Sequence, residues 1–185
     1  MRKIPISGGP HTGKTTLFNA LMEEFPDAHF LAEPAGIVMD REMKKEQGTE
    51  GYAGVFPWNN YPAFARLVID QSVELEASIP PGTDLVFQDR SLIDNIGYGH
   101  LLKYTELLPE LERHIEAARY TCVLFCSPVG TYTRTEVRWE TSEEAQRTHE
   151  FLSLAHDGCG VPVLHLPPVP TEERLAIIRV TLATL

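Results

Sequence analysis

Eight residues near the start of the chain read Gly8-Gly9-Pro10-His11-Thr12-Gly13-Lys14-Thr15: a glycine, four free positions, then Gly-Lys-Thr. Glycines at the two ends let the backbone turn tightly and come close to a ligand, so successive N–H groups converge on one anion. The lysine adds a point charge where β- and γ-phosphate oxygens would lie, and the next hydroxyl suits a bridging Mg²⁺. This is a phosphate-binding loop, or P-loop. It assigns Gly8, Gly9, Pro10, His11, Thr12, Gly13, Lys14 and Thr15 to a nucleoside triphosphate, with ATP as the expected donor. Lys14 serves as catalytic charge and Thr15 as metal ligand. Thr16 either contacts the α-phosphate or satisfies the backbone of its own helix start.

Such a loop must sit between a strand and a helix. The apolar run over 3–7 precedes it, and Leu17, Leu21, Met22 and Phe25 follow at helical spacing. Further short apolar runs at 28–32, 84–88, 121–126 and 161–166 alternate with helical periodicity over 37–46, 62–78, 91–104, 108–119, 142–155 and 171–184. The glycine-rich stretch 48–60 reads as a loop. The alternation predicts one α/β domain over 1–185, a parallel sheet covered by helices. In such a sheet ligands bind beyond the carboxyl ends of the strands.

Those ends carry charge. Glu33 follows the second run and is stiffened by Pro34; Asp89, Arg90 and Ser91 follow the third. A carboxylate here holds Mg²⁺ or accepts a proton from an acceptor hydroxyl, and Arg90 neutralises phosphoryl oxygens. Glu33 and Asp89 are both candidates for the base, and Asp89 for the metal; the structural alternative is a salt bridge with Ser91 as helix cap. After the fourth run, Arg134, Arg138 and Arg147 either close over the phosphate as a lid spanning 128–147 or pair with nearby glutamates on a solvated surface. Arg138 is the first catalytic candidate, with Arg134 and Arg147 as substrate contacts. The proline-rich turn at 165–170 either borders a base or is a plain turn. Trp58 and Gln71 either clasp the substrate or pack between helices.

A P-loop, then Glu33-Pro34, then Asp89-Arg90-Ser91, in that order, resembles the P-loop nucleoside and nucleotide kinases. Deoxynucleoside kinases show Glu-Pro and Glu-Arg-Ser there, and thymidylate kinases Glu-Pro-Gly and Asp-Arg. This chain departs from the first in Asp89 and from the second in Ala35. The continuation through Arg134, Arg138, Glu140, Arg147 and His149 is most similar to the NadR-type ATPase domain, whose characterised relative phosphorylates nicotinamide riboside. The resemblance covers almost the whole chain. It implies a three-layer fold whose five-stranded parallel sheet runs in the order 2-3-1-4-5, with ATP and Mg²⁺ as cofactors. It also implies a small phosphoryl acceptor such as a nucleoside, a nucleotide or a nicotinamide-riboside-like molecule.

Composition narrows the partners. A net charge of −10 over 185 residues opposes a nucleic-acid surface, which is held chiefly by Lys and Arg. No apolar run is long enough to span a membrane and no leader opens the chain, so a cytoplasmic protein is expected, with a homodimer among the open oligomeric states. Cys122, Cys126 and Cys159 match neither zinc spacing nor a disulfide framework and read as core thiols. The seven histidines form no metal-binding pattern. Two functional classes remain: a kinase acting on a small molecule, and a nucleotide-dependent ATPase or switch acting on a protein partner.

Overall fold

The computed structural model describes residues 1–129 and 141–185. In chain order the elements are β1 (Arg2–Ser7), α1 (Lys14–Glu24), β2 (His29–Leu31), α2 (Pro34–Gly48), α3 (Tyr61–Ala77), β3 (Leu85–Asp89), α4 (Leu92–Leu101), α5 (Leu108–Ala118), β4 (Val123–Cys126), α6 (Ser142–Gly158), β5 (Val163–Leu166) and α7 (Thr171–Leu182). The strands form one parallel sheet in the order β2-β3-β1-β4-β5. This is the three-layer P-loop arrangement that the resemblance implies.

The strands are apolar on both faces because both faces are covered. Ile4, Ile6, Phe87, Leu124, Cys126 and Leu166 pack on Leu17 and Leu21 of α1 and on Leu175, Ile178 and Leu182 of α7. The opposite face carries Val123 against Ala65, Ile69, Leu92, Ile93, Leu111 and Ile115 from α3, α4 and α5. Each fully buried Leu or Ile contributes about 1.5–3 kcal/mol. Strand alternation then decides where the chemistry points. Asp89, in phase with Phe87, reaches Lys14 on α1, whereas Ser7, out of phase with Ile4 and Ile6, reaches Asp94 on α4.

One boundary differs in a way that matters. The helix expected from 37 starts at Pro34, which occupies its first turn after Glu33 as N-cap. Proline is preorganised for that place and gives up no hydrogen bond there. Glu33 therefore sits at a helix start rather than in a free loop. The cysteines are free; Cys122 and Cys126 are buried, and burial pushes the Cys126 thiol up to about 11. Among the described residues no helix is long and apolar enough to cross a membrane, and no group of three potential metal-binding side chains occurs.

Candidate functional site

The phosphate loop connects the end of β1 to α1, as its pattern demands. Gly8 has φ +140, and a Cβ there would lie 2.7 Å from the Cys126 carbonyl oxygen, so no other residue fits. The loop is held from outside. The His11 carbonyl accepts from the Val129 N–H at 2.9 Å, the Thr12 carbonyl accepts from Arg174 Nη1 at 2.6 Å, and the Thr12 hydroxyl donates to the Gly9 carbonyl at 2.9 Å. The Gly9 N–H donates to Nδ1 of His149 on α6 at 3.2 Å. That bond requires a ring unprotonated at Nδ1, and burial lowers the pKa of His149 in agreement. Lys14 is buried and its Nζ donates to Asp89 Oδ1 at 2.7 Å.

Beside this pair stands a second ionic group. Arg90 adopts φ +66, a left-handed conformation unusual for a side chain of its size. That turn directs its guanidinium between two carboxylates. Nε donates to Glu33 Oε1 at 2.7 Å and Nη1 to Asp94 Oδ1 at 2.9 Å. Asp94 is also the acceptor for the Ser7 hydroxyl at 2.6 Å and, through Oδ2, for the Ser91 N–H at 2.8 Å. Nε2 of the fully buried His156 lies 3.3 Å from the same carboxylate. Burial alone would raise the Asp94 pKa, but His156, Arg90 and Ser7 outweigh it and hold the carboxyl well below the usual range.

A cavity of about 430 Å³ opens onto this group. Its walls are apolar, with Ala35, Met39, Phe64, Val68 and Leu101 among them, while Glu33, Arg90, Asn95 and Thr148 supply polar atoms. Among the described residues Arg90 is its one cationic lining residue, and it is already shared by two carboxylates. A larger hollow of about 850 Å³ between α4, α5 and α6 includes no residue of the phosphate loop or of the β2 and β3 ends. Size alone does not mark the site; adjacency to the loop does.

The model of one family, described as an AAA domain, matches residues 3–174. The chain is an AAA domain. No curated protein matches it. The family match, together with the loop and sheet order, makes this a P-loop nucleotide-binding domain, and it goes no further toward the NadR-type group.

Within this AAA domain the sequence-derived candidates separate clearly. Gly8 to Lys14 form the loop, and Thr15 and Thr16 lie exposed in the first turn of α1. Glu33, Asp89 and Arg90 come together at the sheet edge, although Asp89 and Arg90 each pair with other partners rather than with one another. Trp58 and Gln71 do not line the cavity: Trp58 is 73% exposed and stacks on Phe56, and Gln71 accepts from Arg41. Arg147 is exposed and lies over the Phe151 ring at 5.8 Å. Arg134 and Arg138 lie outside the described residues, as do residues 130–140 of the 128–147 segment expected as a lid; its end, from Ser142, is the first part of α6.

Sequence reasoning missed Asp94, Thr148 and Arg174, and named His149 only within the run that carries the resemblance, without a role. Asp94 carried a local signal, since Ser91-x-x-Asp94 has capping-box spacing, and Ser91 does cap α4. Thr148, His149 and Arg174 reach the site only because α6 and α7 pack where they do.

Proposed function

We propose that the domain transfers the γ-phosphoryl group of ATP to a hydroxyl of a small molecule bound in the cavity beside Arg90. The observation that carries this reading is adjacency: Asp89, paired to the phosphate-loop lysine, is followed directly by Arg90, which lines the cavity. A donor and an acceptor bound in these two places would meet at the end of β3. Lys14 leaves Asp89 for the β- and γ-phosphates when nucleotide binds. Asp89 and the Thr15 hydroxyl then suit Mg²⁺, which keeps most of its waters and takes few protein ligands. Held there, the metal would supply positive charge against the negative charge of the phosphates.

Glu33 takes the role of base, because it lines the cavity and its side chain remains 37% exposed. The acceptor oxygen attacks the γ-phosphorus, its proton passes to the Glu33 carboxylate, and the bond from that phosphorus to the β,γ-bridging oxygen breaks, its electron pair leaving on ADP. Arg90 fixes Glu33 through one edge of its guanidinium. The charge of the cavity favours an acceptor that is uncharged or cationic, such as a nucleoside or a nicotinamide-riboside-like molecule. Among the described residues, a monophosphate would find only the cation of Arg90 there, already claimed by two carboxylates.

ADP release measured with a panel of nucleosides and nucleoside monophosphates tests this directly. Stimulation by nucleosides supports the reading, and a preference for monophosphates removes the charge argument. Turnover indifferent to every acceptor moves the function to an ATPase or switch acting on a protein partner.

A further inference from the structure

Arg174 is 1% exposed, yet among the described residues it pairs with no carboxylate. Its three nitrogens donate instead to three backbone carbonyls from three loops: Nε to Pro167 at 2.9 Å, Nη1 to Thr12 at 2.6 Å and Nη2 to Ser127 at 2.8 Å. A buried cation without a counter-ion is costly, since carbonyl dipoles replace only part of its hydration. Nor does it serve its own helix. It stands in the first turn of α7, where the helix dipole disfavours positive charge and where Glu172 and Glu173 are the residues that turn prefers.

What the arginine does is visible in the peptide it holds. A trans peptide points its N–H opposite to its C=O. With the Thr12 carbonyl bonded to Arg174, the N–H of Gly13 is turned away from the guanidinium. Val129 does the same one residue earlier: its N–H holds the His11 carbonyl and so turns the Thr12 N–H away from Val129. The guanidinium also lies close behind the loop, with Nη1 3.6 Å from where a Cβ on Gly13 would be. Its charge is therefore available to an anion on the other side of one peptide plane.

We propose that Arg174 is a positioning residue for the triphosphate: it orients the Gly13 N–H of the phosphate loop and supplies the uncompensated positive charge behind it. It joins the loop to the turns that follow β4 and β5, so the anion site is completed by α7, from the far end of the chain. The bound phosphates would be the counter-ion that the described residues do not provide. This deepens the reading of the loop as a triphosphate site and rests on it.

The test measures binding of ATP, ADP and inorganic tripolyphosphate to the full chain by calorimetry, alongside unfolding midpoints, for wild type, Arg174→Gln and Arg174→Lys. The Gln variant is expected to bind ATP and tripolyphosphate roughly tenfold or more weakly, with a smaller loss for ADP, because the effect follows phosphate charge. The Lys variant keeps the charge but not the planar fork, and is expected to lose roughly threefold. If Arg174→Gln does not fold, the Lys variant decides alone. Unchanged affinity in the folded variants, or equal losses for ATP and ADP, would overturn the proposal and leave Arg174 a structural tie. Wild-type protein that binds neither ATP nor tripolyphosphate would instead remove the phosphate-loop reading itself.

Discussion

The phosphate loop and the cavity beside it meet at one edge of the sheet but are built in opposite ways. The loop is contiguous, presents backbone, and is set from behind by Val129, His149 and Arg174. The cavity is assembled from side chains of α2, α3, α4 and α6, and its polarity is concentrated in the group formed by Glu33, Arg90 and Asp94. Backbone sites hold whatever carries the right charge and shape, whereas a site of dispersed side chains discriminates. On the proposed function, the loop would then define the donor class and the cavity the individual acceptor.

The sharpest way to separate the two regions is Lys14→Ala. It is expected to lower turnover roughly a thousandfold, comparable to losing a strong transition-state donor, while acceptor binding in the cavity is kept. Asp89 loses its partner at 2.7 Å in a largely buried place, so stability should also fall, by about 1–3 kcal/mol. Single-turnover kinetics with a denaturation curve check both. Acceptor affinity falling in step with turnover would mean that donor and acceptor regions are not separable.

Next in size is Asp94→Asn, which strikes the cavity at its centre. The carboxylate faces Arg90, Ser7, Ser91 and His156, and removing its charge should cost about 3 kcal/mol. The pH dependence carries a signature. A folded-state pKa held below the ordinary value stabilises the protein above about pH 4 and is lost as pH falls from there toward the folded value. Wild type should lose this contribution below about pH 4 and the Asn variant should lack it, so their stabilities converge on acidification. Parallel pH profiles would show that Asp94 is not the buried charge its surroundings imply.

The same contrast governs what could be read from the chain. The loop was legible because all its parts lie within eight consecutive residues, and its neighbours were legible because a parallel sheet ends in chemistry. Glu33, Asp89 and Arg90 each closely follow or end a strand. Asp94 was hidden behind a second role, because its spacing from Ser91 announces a helix cap and nothing local reveals that the same carboxylate also holds Arg90. Arg174 and His149 lie on helices whose pattern describes only which face is buried. Trp58 and Gln71 mark the opposite limit: aromatic and amide groups near a loop suit a binding wall, and only the structure shows Trp58 stacked on Phe56 and Gln71 bonded to Arg41, outside the cavity lining.

A third variant, Glu33→Gln, asks whether the two carboxylates on Arg90 divide their labour. Glu33 lines the cavity and is partly open, whereas Asp94 is closed in. A base removed from an acceptor hydroxyl lowers turnover by roughly a hundredfold, with ATP affinity little changed. Stability should move by about 1 kcal/mol, because the neutral amide still reaches the guanidinium, Asp94 still pairs with it, and the Glu33 side of the pair is 37% exposed. A large loss of stability with normal turnover would make Glu33 a structural partner and return the role of base to Asp89.

The smallest effect is expected at Arg147, which divides the cavity wall from the outer face of α6. Its neighbour Thr148 is buried and lines the cavity, and the next residue, His149, touches the phosphate loop. Arg147 itself is exposed over the Phe151 ring, one turn away on the same helix. An exposed cation over an aromatic ring contributes about 0.5–1 kcal/mol, so Arg147→Ala should lower stability by no more than that. Turnover should stay within about threefold of wild type, since a solvated guanidinium held on the outer face stabilises no developing charge. Thr148→Val, one residue away, is the control: it removes a hydroxyl from the cavity wall and should raise the acceptor KM while leaving ATP binding alone. Should Arg147→Ala instead cost roughly a hundredfold in turnover, its side chain leaves Phe151 during the reaction and reaches the transferring phosphate. The division between a discriminating cavity and a solvated outer face would then fail at this helix.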